Sequence, residues 1–341
     1  MKILQIIDIL DVGGAERVFV NMCNLLHSNK IDVSALVFGR KGKLEGTLSK
    51  KIPRIDFKRK AKYGIGEWYA LSKILRQYDI LHVHMRHNFV YIKLIATIFR
   101  VNVKIILHDH SSNFDHVSIP LKSFLRPNYF IGVSKQLVEW SKNTLGVQKN
   151  KTFLLYNTVL KERIDVLAKD KEGIVVVGNI KPGKNQLFVI NLMPSIHEDV
   201  TFIGKVQDLS YFQQLKDRIN TLNLGNRVTF MTEIDNVQYQ LPKFKLALMS
   251  STKESGPLVL IEYLAQDLPF VSYKTGEVSN LLEKEIPEFF LSSFEESLWI
   301  KKIKEISNYK GLELSTIYEK LFSPSKYIQL CTDIYQKVVS S

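Results

Sequence analysis

The chain has 341 residues, a net charge of +13, 45% hydrophobic residues and 24% charged residues, an ordinary composition for a globular protein. This length exceeds what one hydrophobic core usually serves, so we expect two domains. No apolar run reaches the roughly 18–20 residues of a membrane-spanning helix, and the N-terminal run meets Asp8 too early for a signal peptide. The two cysteines, Cys23 and Cys331, are far apart in sequence, which argues against a disulfide framework and favours a reduced, cytoplasmic protein.

Short apolar runs alternate with helical stretches through residues 1–160. The strands are predicted at 2–8, 31–38, 79–83, 103–107, 129–133 and 152–155, and the helices from about 14 to 27 and at 68–76, 89–100 and 135–144. Apolar runs too short for helical periodicity are typical of buried parallel strands. The alternation predicts a parallel, doubly wound α/β domain.

A charged segment at 161–172 interrupts this pattern and is predicted to be a linker. A second series follows at 173–324, with strands at 173–177, 200–203, 227–230, 246–249 and 270–273 and helices at 186–193 and 209–222. The last segment, 325–341, is predicted to form a closing helix that could return to the N-terminal domain. The fold class is therefore α/β, with two Rossmann-like parallel-sheet domains facing a cleft.

Unusual polar residues stand at the predicted carboxyl ends of the strands. They are Gly13-Gly14, His84, His108-Asp109-His110, Ser134, Asn179 with Lys184, Glu254, and Thr275-Gly276. Ligands of open α/β sheets bind at these strand ends. This coincidence is the basis for predicting a ligand site in a cleft between the two domains.

The stretch from Glu254 to Glu262 is the most informative one. Pro257 fits the first position of a helix that is apolar on nearly every face, so Glu262 is predicted to be a charge on a buried helix. A buried carboxylate needs a partner. The two glutamates are either ordinary buried residues paired with lysines such as Lys184, or ligands for paired donors such as the hydroxyls of a ribose.

The glycine pair Gly13-Gly14 opens a helix after a strand, where a backbone can approach a phosphate or simply form a tight turn. The dinucleotide fingerprint G-x-G-x-x-G is absent, so NAD binding is not expected. Lys184, also in a loop before a helix, could neutralise a diphosphate as a point charge or be an ordinary surface lysine.

Three further residues, His108, Asp109 and His110, follow a strand. A metal site would need further ligands, which only His82 or His84 could supply. A hydrogen-bonding role toward a substrate is therefore favoured over metal binding. The alternative is that these residues simply cap the following loop. No bound metal or other cofactor is predicted.

Much of the positive charge lies between Arg40 and Lys62. The basic residues there are Arg40, Lys41, Lys43, Lys50, Lys51, Arg54, Lys58, Arg59, Lys60 and Lys62, against only two acidic residues. The segment is either a solvated face or a surface that attracts an anionic membrane or a phosphorylated substrate. No nucleic-acid-binding motif accompanies it, so nucleic acid is not an expected partner.

Taken together, these motifs resemble the retaining glycosyltransferases of family 4, which have the two-domain B-type glycosyltransferase fold. The resemblance depends above all on the stretch Glu254-Ser255-Gly256-Pro257-Leu258-Val259-Leu260-Ile261-Glu262. Supporting matches are the run Gly13-Gly14-Ala15-Glu16-Arg17, His84, the run from His108 to His110, the run from Gly178 to Lys184, Pro269 and Gly276. The resemblance covers almost the whole chain.

The resemblance implies a role for each site residue. Glu262 would hold the nucleotide ribose, Glu254 would contact the donor sugar near the reacting carbon, and Lys184 would bind the donor diphosphate. His108 would contact the donor sugar, with His110 as the competing register. The other donor-binding residues would be Gly13, Gly14, Asn179, Gly256, Pro257, Leu258, Thr275 and Gly276.

Three residues depart from the family pattern. Asn179 stands where the family usually has an arginine beside the phosphates, Tyr263 replaces a small residue, and Thr158 replaces a glycine after Asn157. The first departure could mean weaker diphosphate binding or compensation by Lys181.

The resemblance implies transfer of a sugar from a nucleotide-diphosphate sugar, with UDP expected, to a hydroxyl of a growing cell-surface polysaccharide or lipopolysaccharide. The basic segment between Arg40 and Lys62 separately suggests that the acceptor is carried on a lipid diphosphate at the inner membrane face. The alternatives are a nucleotide-sugar epimerase or phosphorylase on the same plan, and an inactive glycosyltransferase-like protein that serves as a binding partner.

Overall fold

The computed structural model describes residues 1–11, 13–39, 42–58, 65–111, 114, 118–164, 171–311 and 313–341. The chain divides into two compact units. The first unit comprises Met1–Thr158 together with Pro324–Ser341, and the second comprises Val159–Ser323.

The first unit is built on a parallel sheet. Among its described residues, seven strands pair in the order β3-β2-β1-β4-β5-β6-β7. They are β1 (Lys2–Ile7), β2 (Asp32–Val37), β3 (Arg54–Asp56), β4 (Ile80–His84), β5 (Lys104–Asp109), β6 (Tyr129–Gly132) and β7 (Thr152–Leu154). The central strands are buried on both faces, as expected where helices cover both sides of a parallel sheet.

Six helices are described in the first unit. They are α1 (Gly14–Ser28), α2 (Ile65–Leu75), α3 (Arg86–Ile98), α4 (Ile119–Lys122), α5 (Lys135–Leu145) and α12 (Pro324–Val339). Helix α12, from the end of the chain, packs against α1. In this contact the hydroxyl of Tyr335 on α12 lies 3.8 Å from the sulfur of Met22 on α1.

The second unit repeats the plan with a smaller sheet. Its described residues form six parallel strands in the order β10-β9-β8-β11-β12-β13. They are β8 (Ile174–Val177), β9 (Val200–Ile203), β10 (Val228–Met231), β11 (Leu246–Met249), β12 (Phe270–Tyr273) and β13 (Phe290–Leu291). The helices are α6 (Gln186–Leu192), α7 (Leu209–Thr221), α8 (Leu258–Ala265), α9 (Gly276–Leu282), α10 (Glu296–Ile306) and α11 (Leu314–Phe322).

The prediction of two Rossmann-like parallel-sheet domains is confirmed. Every described strand pair is parallel. In each unit, the residues that follow the central strands therefore lie at one edge of the sheet, the edge formed by the carboxyl ends of the strands. The predicted linker at 161–172 falls partly at 165–170, outside the described residues. Its first residues belong to the second unit, where Glu162 N–H donates to Gln238 Oε1 at 3.1 Å.

Within the described residues, no helix is long and apolar enough to cross a bilayer.

Candidate active site

The helix that carries Glu262 is buried on almost every side. From Val259 to Ala265 each residue of α8 is buried, including the Glu262 side chain, which is 4% exposed. The prediction that Pro257 occupies the first helical position is wrong. Pro257 has extended backbone angles and is the N-cap, and the helix begins at Leu258.

A close ion pair forms just before this helix. The Nζ of Lys184 lies 2.5 Å from Oε1 of Glu254, although the two residues are 70 positions apart in sequence. Both side chains keep some exposure, 21% for Lys184 and 16% for Glu254. The sequence left open whether one of the two glutamates is paired with Lys184. In the structure Glu254 has this pairing.

The loops after β8 and β11 position this pair. Thr252 N–H donates to the Gly183 carbonyl at 3.0 Å, and the Ser250 hydroxyl donates to the Lys184 carbonyl at 2.9 Å. A Cβ atom on Gly178 would lie only 3.1 Å from Cδ of Lys184, so the aliphatic part of the lysine packs on this glycine. The backbone and the stem of Lys184 are thus fixed while its charged end reaches Glu254.

On its other side, the Glu254 loop is fixed by the start of α9. Glu254 N–H donates to Thr275 Oγ1 at 3.2 Å, and Glu277 N–H donates to the Ser255 carbonyl at 2.7 Å. Gly276 has a φ of +79°, and a Cβ atom there would lie 3.0 Å from Pro257 Cδ. Only glycine combines this backbone angle with so close an approach. Thr275 and Gly276 therefore contact the Glu254 loop, as well as being predicted donor-binding residues.

Sequence reasoning did not anticipate the role of Gln186. This side chain is buried, and its amide nitrogen donates to the carbonyls of Gly178 at 3.4 Å and Asn179 at 3.1 Å. It holds the loop that carries the half-buried Asn179. A polar residue at the start of an otherwise apolar helix was the available signal.

In the first unit, the glycine turn lies beside an acidic side chain. Gly13 is the N-cap of α1 and Gly14 is its first residue. A Cβ atom on Gly13 would collide with the Glu16 carboxylate. Burial raises the pKa of Glu16, and the nearby carboxylates of Asp8 and Asp11 add to the increase. The protonated form of Glu16 is therefore more accessible than usual.

A cluster of four histidines lies at the ends of β4 and β5. His84 is paired with His108 in the ladder between these strands, and His82, His84 and His108 are fully buried. His84 and His110 stack in parallel with ring centroids 5.2 Å apart. The two competing candidates for the donor sugar, His108 and His110, are thus in one cluster, with centroids 4.2 Å apart.

Hydrogen bonds connect these rings to each other and to β1. His82 Nε2 lies 3.0 Å from His108 Nδ1, and His84 Nδ1 lies 3.0 Å from His110 Nε2. His84 Nε2 donates to Gln5 Oε1 at 2.9 Å. Gln5, the buried polar residue of strand β1, is therefore bonded to this cluster.

The histidines of the cluster are neutral at physiological pH. Burial lowers the pKa of His82 to about 3. Burial, with repulsion from the neighbouring rings, lowers the pKa of His84 and His108 well below their ordinary value. The pKa of His110 is lowered by burial as well. Neutral rings can exchange hydrogen bonds with a sugar without carrying a charge into the site.

Asp109, which lies between His108 and His110 in sequence, is bonded to groups outside the histidine cluster. Its carboxylate accepts from Arg86 Nε at 2.7 Å and from Ser111 N–H at 3.1 Å. Burial raises the pKa of the Asp109 carboxyl, and Arg86 opposes that increase. The Arg86 guanidinium stacks on the Trp140 ring, with Cζ 4.2 Å from the centroid. Arg86 therefore contacts both the carboxylate at the end of β5 and a ring of α5.

The histidine cluster is also where a metal could be held. Among the described residues, His82, His84 and His108 offer ring nitrogens that lie within 4.8 Å of one another. Both ring nitrogens of His82 and of His84 already take part in hydrogen bonds. Metal binding would therefore require this network to break.

The comparisons with known proteins agree with the geometry of the two units. The family Glycosyltransferase Family 4 matches residues 12–163, and the family Glycosyl transferases group 1 matches residues 160–319. A glycosyltransferase from Haemophilus influenzae, described as uncharacterized, is 24% identical over 95% of this chain and 91% of its own length.

Two solved structures are similar in fold. The Anabaena protein HepE, in complex with UDP-glucose, has a TM-score of 0.79 and 18% identity, covering 98% of this chain and 100% of that one. The lipopolysaccharide outer core galactosyltransferase WaaB has a TM-score of 0.60 and 18% identity, covering 94% of this chain and 98% of that one. Since the two family matches together span residues 12–319, the chain belongs to the family 4 glycosyltransferases and has their two-domain B-type fold.

Proposed function

We propose that this glycosyltransferase moves a sugar from a nucleotide-diphosphate sugar, with UDP as the nucleotide, to a hydroxyl of a growing cell-surface glycan. The observation that carries the proposal is the ion pair of Lys184 with Glu254, which the fold places directly before the helix that buries Glu262. A cation for the diphosphate and a buried carboxylate for the ribose are the two groups that a nucleotide-sugar donor requires.

In this proposal each charged residue has a separate task. The Glu262 carboxylate accepts hydrogen bonds from the two ribose hydroxyls. Lys184 turns from Glu254 to the diphosphate when the donor binds, which frees Glu254 to contact the sugar near its reacting carbon. The first turn of α8 adds backbone N–H groups, because the first N–H groups of a helix have no partner within the helix.

We propose that the transfer proceeds with retention of anomeric configuration. The bond from the anomeric carbon to the diphosphate oxygen breaks, and the acceptor oxygen bonds to the same face of that carbon. The acceptor proton passes to the departing phosphate. Lys184 and backbone N–H groups would stabilise the leaving diphosphate without a metal ion. The neutral His108, with His110 beside it, would donate a hydrogen bond to the donor sugar.

A thermal-shift screen against nucleotide sugars tests the donor assignment. UDP at 100 times its Kd should stabilise the protein by about 2.7 kcal/mol, because it binds only the folded state. The Glu262→Ala variant should lose this shift, whereas the control Glu283→Ala, whose glutamate pairs with Lys274 on the surface, should keep it. Unchanged UDP affinity of Glu262→Ala in calorimetry would refute the role of Glu262.

Product analysis separates transfer from the alternatives. With an acceptor present, we expect a glycoside whose anomeric configuration by NMR matches the donor, at a rate that EDTA leaves unchanged. An altered donor sugar without an acceptor would indicate an epimerase, and an inverted product or loss of activity in EDTA would contradict the proposed mechanism.

We also propose that the protein works in the cytoplasm, at an anionic membrane face that presents a lipid-linked acceptor. Lys43, Lys50, Lys51 and Lys58 of the basic segment are exposed. Arg54 contributes less than its charge suggests because it is paired with Glu45 and Asp56. The remaining basic residues of the segment, Arg40, Lys41, Arg59, Lys60 and Lys62, lie outside the described residues.

A further inference from the structure

A line of buried hydrogen bonds runs from helix α12 to His108. Gln5 Nε2 donates to Tyr335 Oη at 2.8 Å, Tyr335 Oη lies 2.8 Å from His82 Nδ1, and His82 Nε2 lies 3.0 Å from His108 Nδ1. All four side chains are fully buried. The line connects three strands and the closing helix of the first unit.

The chemistry of the partners gives this line a direction. Gln5 uses its Oε1 to accept from His84 Nε2, so its amide nitrogen is the group that donates to Tyr335. A phenol is a stronger acid than a neutral imidazole N–H, and an imidazole nitrogen is a stronger base than a phenol oxygen. The Tyr335 hydroxyl therefore donates to His82 Nδ1 rather than to its two sulfur neighbours, those of Met22 at 3.8 Å and of Cys331, because sulfur is a weak acceptor.

That direction fixes the tautomers of two histidines. When His82 accepts at Nδ1, its proton is on Nε2 and is donated to His108 Nδ1. His108 then accepts at Nδ1 and has its proton on Nε2. In the described part of the chain, His108 Nε2 is buried and has no hydrogen-bond partner. A buried N–H without an acceptor is unfavourable, so an acceptor is expected from a bound ligand.

We infer that Tyr335 is a positioning residue, which holds His108 through His82 in the tautomer whose Nε2–H donates to an oxygen of the donor sugar. The identity of the ligand rests on the proposed function of His108, whereas the tautomer itself does not. Neither Tyr335 nor His82 needs to touch the substrate. Helix α12 thereby contributes to recognition of the sugar indirectly, through the hydrogen bonds from Tyr335 to His82 and from His82 to His108.

The same helix provides a matched control. Tyr327 is also on α12 and is buried, and its hydroxyl has no partner among the described residues. Tyr335→Phe and Tyr327→Phe therefore remove the same atom from the same helix. Only the first substitution removes the hydrogen-bond donor to His82.

Nitrogen-15 NMR of the full-length protein with labelled histidine tests the tautomer directly. The His108 signals are assigned by their loss in His108→Gln. In the wild type and in Tyr327→Phe we expect the proton on Nε2, and in Tyr335→Phe a shift toward Nδ1. A wild-type His108 protonated on Nδ1, or a Tyr335→Phe spectrum identical to the wild type, would overturn the inference.

Calorimetry with UDP and with UDP-glucose tests the consequence for the sugar. Tyr335→Phe should weaken UDP-glucose binding roughly tenfold, the value of about one hydrogen bond, and leave UDP binding within about twofold. Tyr327→Phe should change neither affinity. Equal loss of both ligands in Tyr335→Phe would indicate a merely structural role and contradict the inference.

Two outcomes keep this test distinct from that of the proposed function. A wild type that binds neither UDP nor UDP-glucose counts against the proposed function, while the NMR result still decides the tautomer. If Tyr335→Phe does not fold, the wild-type spectrum still decides the inference. A proton on Nε2 of His108 supports it, and a proton on Nδ1 overturns it.

Discussion

Two glutamates of the second unit, Glu254 and Glu262, are eight positions apart yet have different surroundings. Glu254 is partly exposed and paired with Lys184, whereas Glu262 is held inside an apolar helix. A paired carboxylate can exchange its lysine for a ligand at modest cost, but a buried one must keep strong partners. This difference supports separate tasks for the two residues in the proposed mechanism.

Tyr263 shows how a departure from the family pattern can be accommodated. Its hydroxyl accepts from Val177 N–H at 3.2 Å and lies 3.5 Å from the Leu248 carbonyl, at the ends of β8 and β11. The ring itself is fully buried. The larger side chain therefore fills space under the Gly178 loop and binds backbone groups of two neighbouring strands.

The buried histidines make the stability of the protein depend on pH. Because the four histidines of the cluster, His82, His84, His108 and His110, have pKa values below the 6.5 of an unfolded histidine, the unfolded state binds more protons below that pH. Stability is therefore fully present above about pH 6.5 and falls as the pH drops toward about 3. Between pH 7 and 5.5 we expect a loss of about 1 kcal/mol per histidine, or about 4 kcal/mol in total, in urea unfolding.

The exposed His197 of the second unit provides the control for this measurement. His197→Gln should lose as much stability on acidification as the wild type. A free energy of unfolding that stays constant from pH 7 to 5.5 would contradict the neutral, buried state of the cluster.

At the scale of elements, the sequence predicted the interior strands well and missed two short edge strands. The strands β9, β11 and β12 coincide with their predicted ranges because their apolar runs end abruptly at polar or glycine residues. The edge strands β3 and β13 were missed. Each has only two or three residues, and pairing with a neighbouring strand, rather than local pattern, defines it.

The helices α9, α10 and α11 were also missed. Helix α9 begins at Gly276, a residue that sequence reasoning assigned only to the ligand site. Its start is set by contacts with the Glu254 loop from another part of the chain, which no local pattern reveals.

Gly276 should be intolerant of a side chain. Gly276→Ala is expected to destabilise the protein by about 1–2 kcal/mol, because alanine disfavours the φ of +79° and its Cβ would crowd Pro257 and Ser255. Urea unfolding measures this loss. Gly183→Ala, in the neighbouring loop with nothing within 4 Å of the added Cβ, should change stability by less than about 0.5 kcal/mol. Equal effects of the two substitutions would show that the close approach at Gly276 is not a constraint.

At the scale of the whole molecule, the sequence predicted the two-domain fold. It also predicted that His84, His108 and His110 stand at the ends of strands, where a parallel sheet brings them to the same edge, and it named His82 only as a further possible metal ligand. It did not predict Tyr335 as their neighbour. A contact between β4 and a residue 253 positions later depends on the path of the whole chain.

Binding to anionic membranes should depend on the exposed lysines of the basic segment. At about 1 kcal/mol per lysine, the double variant Lys50→Gln, Lys51→Gln should bind phosphatidylserine vesicles roughly 30-fold more weakly in a sedimentation assay. Added salt should weaken binding of the wild type as well.

The matched control removes the same charge from the second unit. Lys301 and Lys304 are exposed on α10, and Lys301→Gln with Lys304→Gln should leave vesicle binding unchanged. Equal losses in the two double variants, or binding insensitive to salt, would contradict a specific basic surface at the first unit.

The return of α12 to the first unit has a consequence for how the protein is made. The segment Val159–Ser323 separates the two parts of the first unit. A ribosome that adds about 5–20 residues per second needs on the order of 10–30 s to synthesise that segment. During this interval Tyr335 has not been synthesised, so the side chains of Gln5 and His82 lack the hydroxyl to which both are hydrogen-bonded in the folded unit. The first unit, although its sheet is synthesised first, can therefore complete its fold only after the second unit has been made.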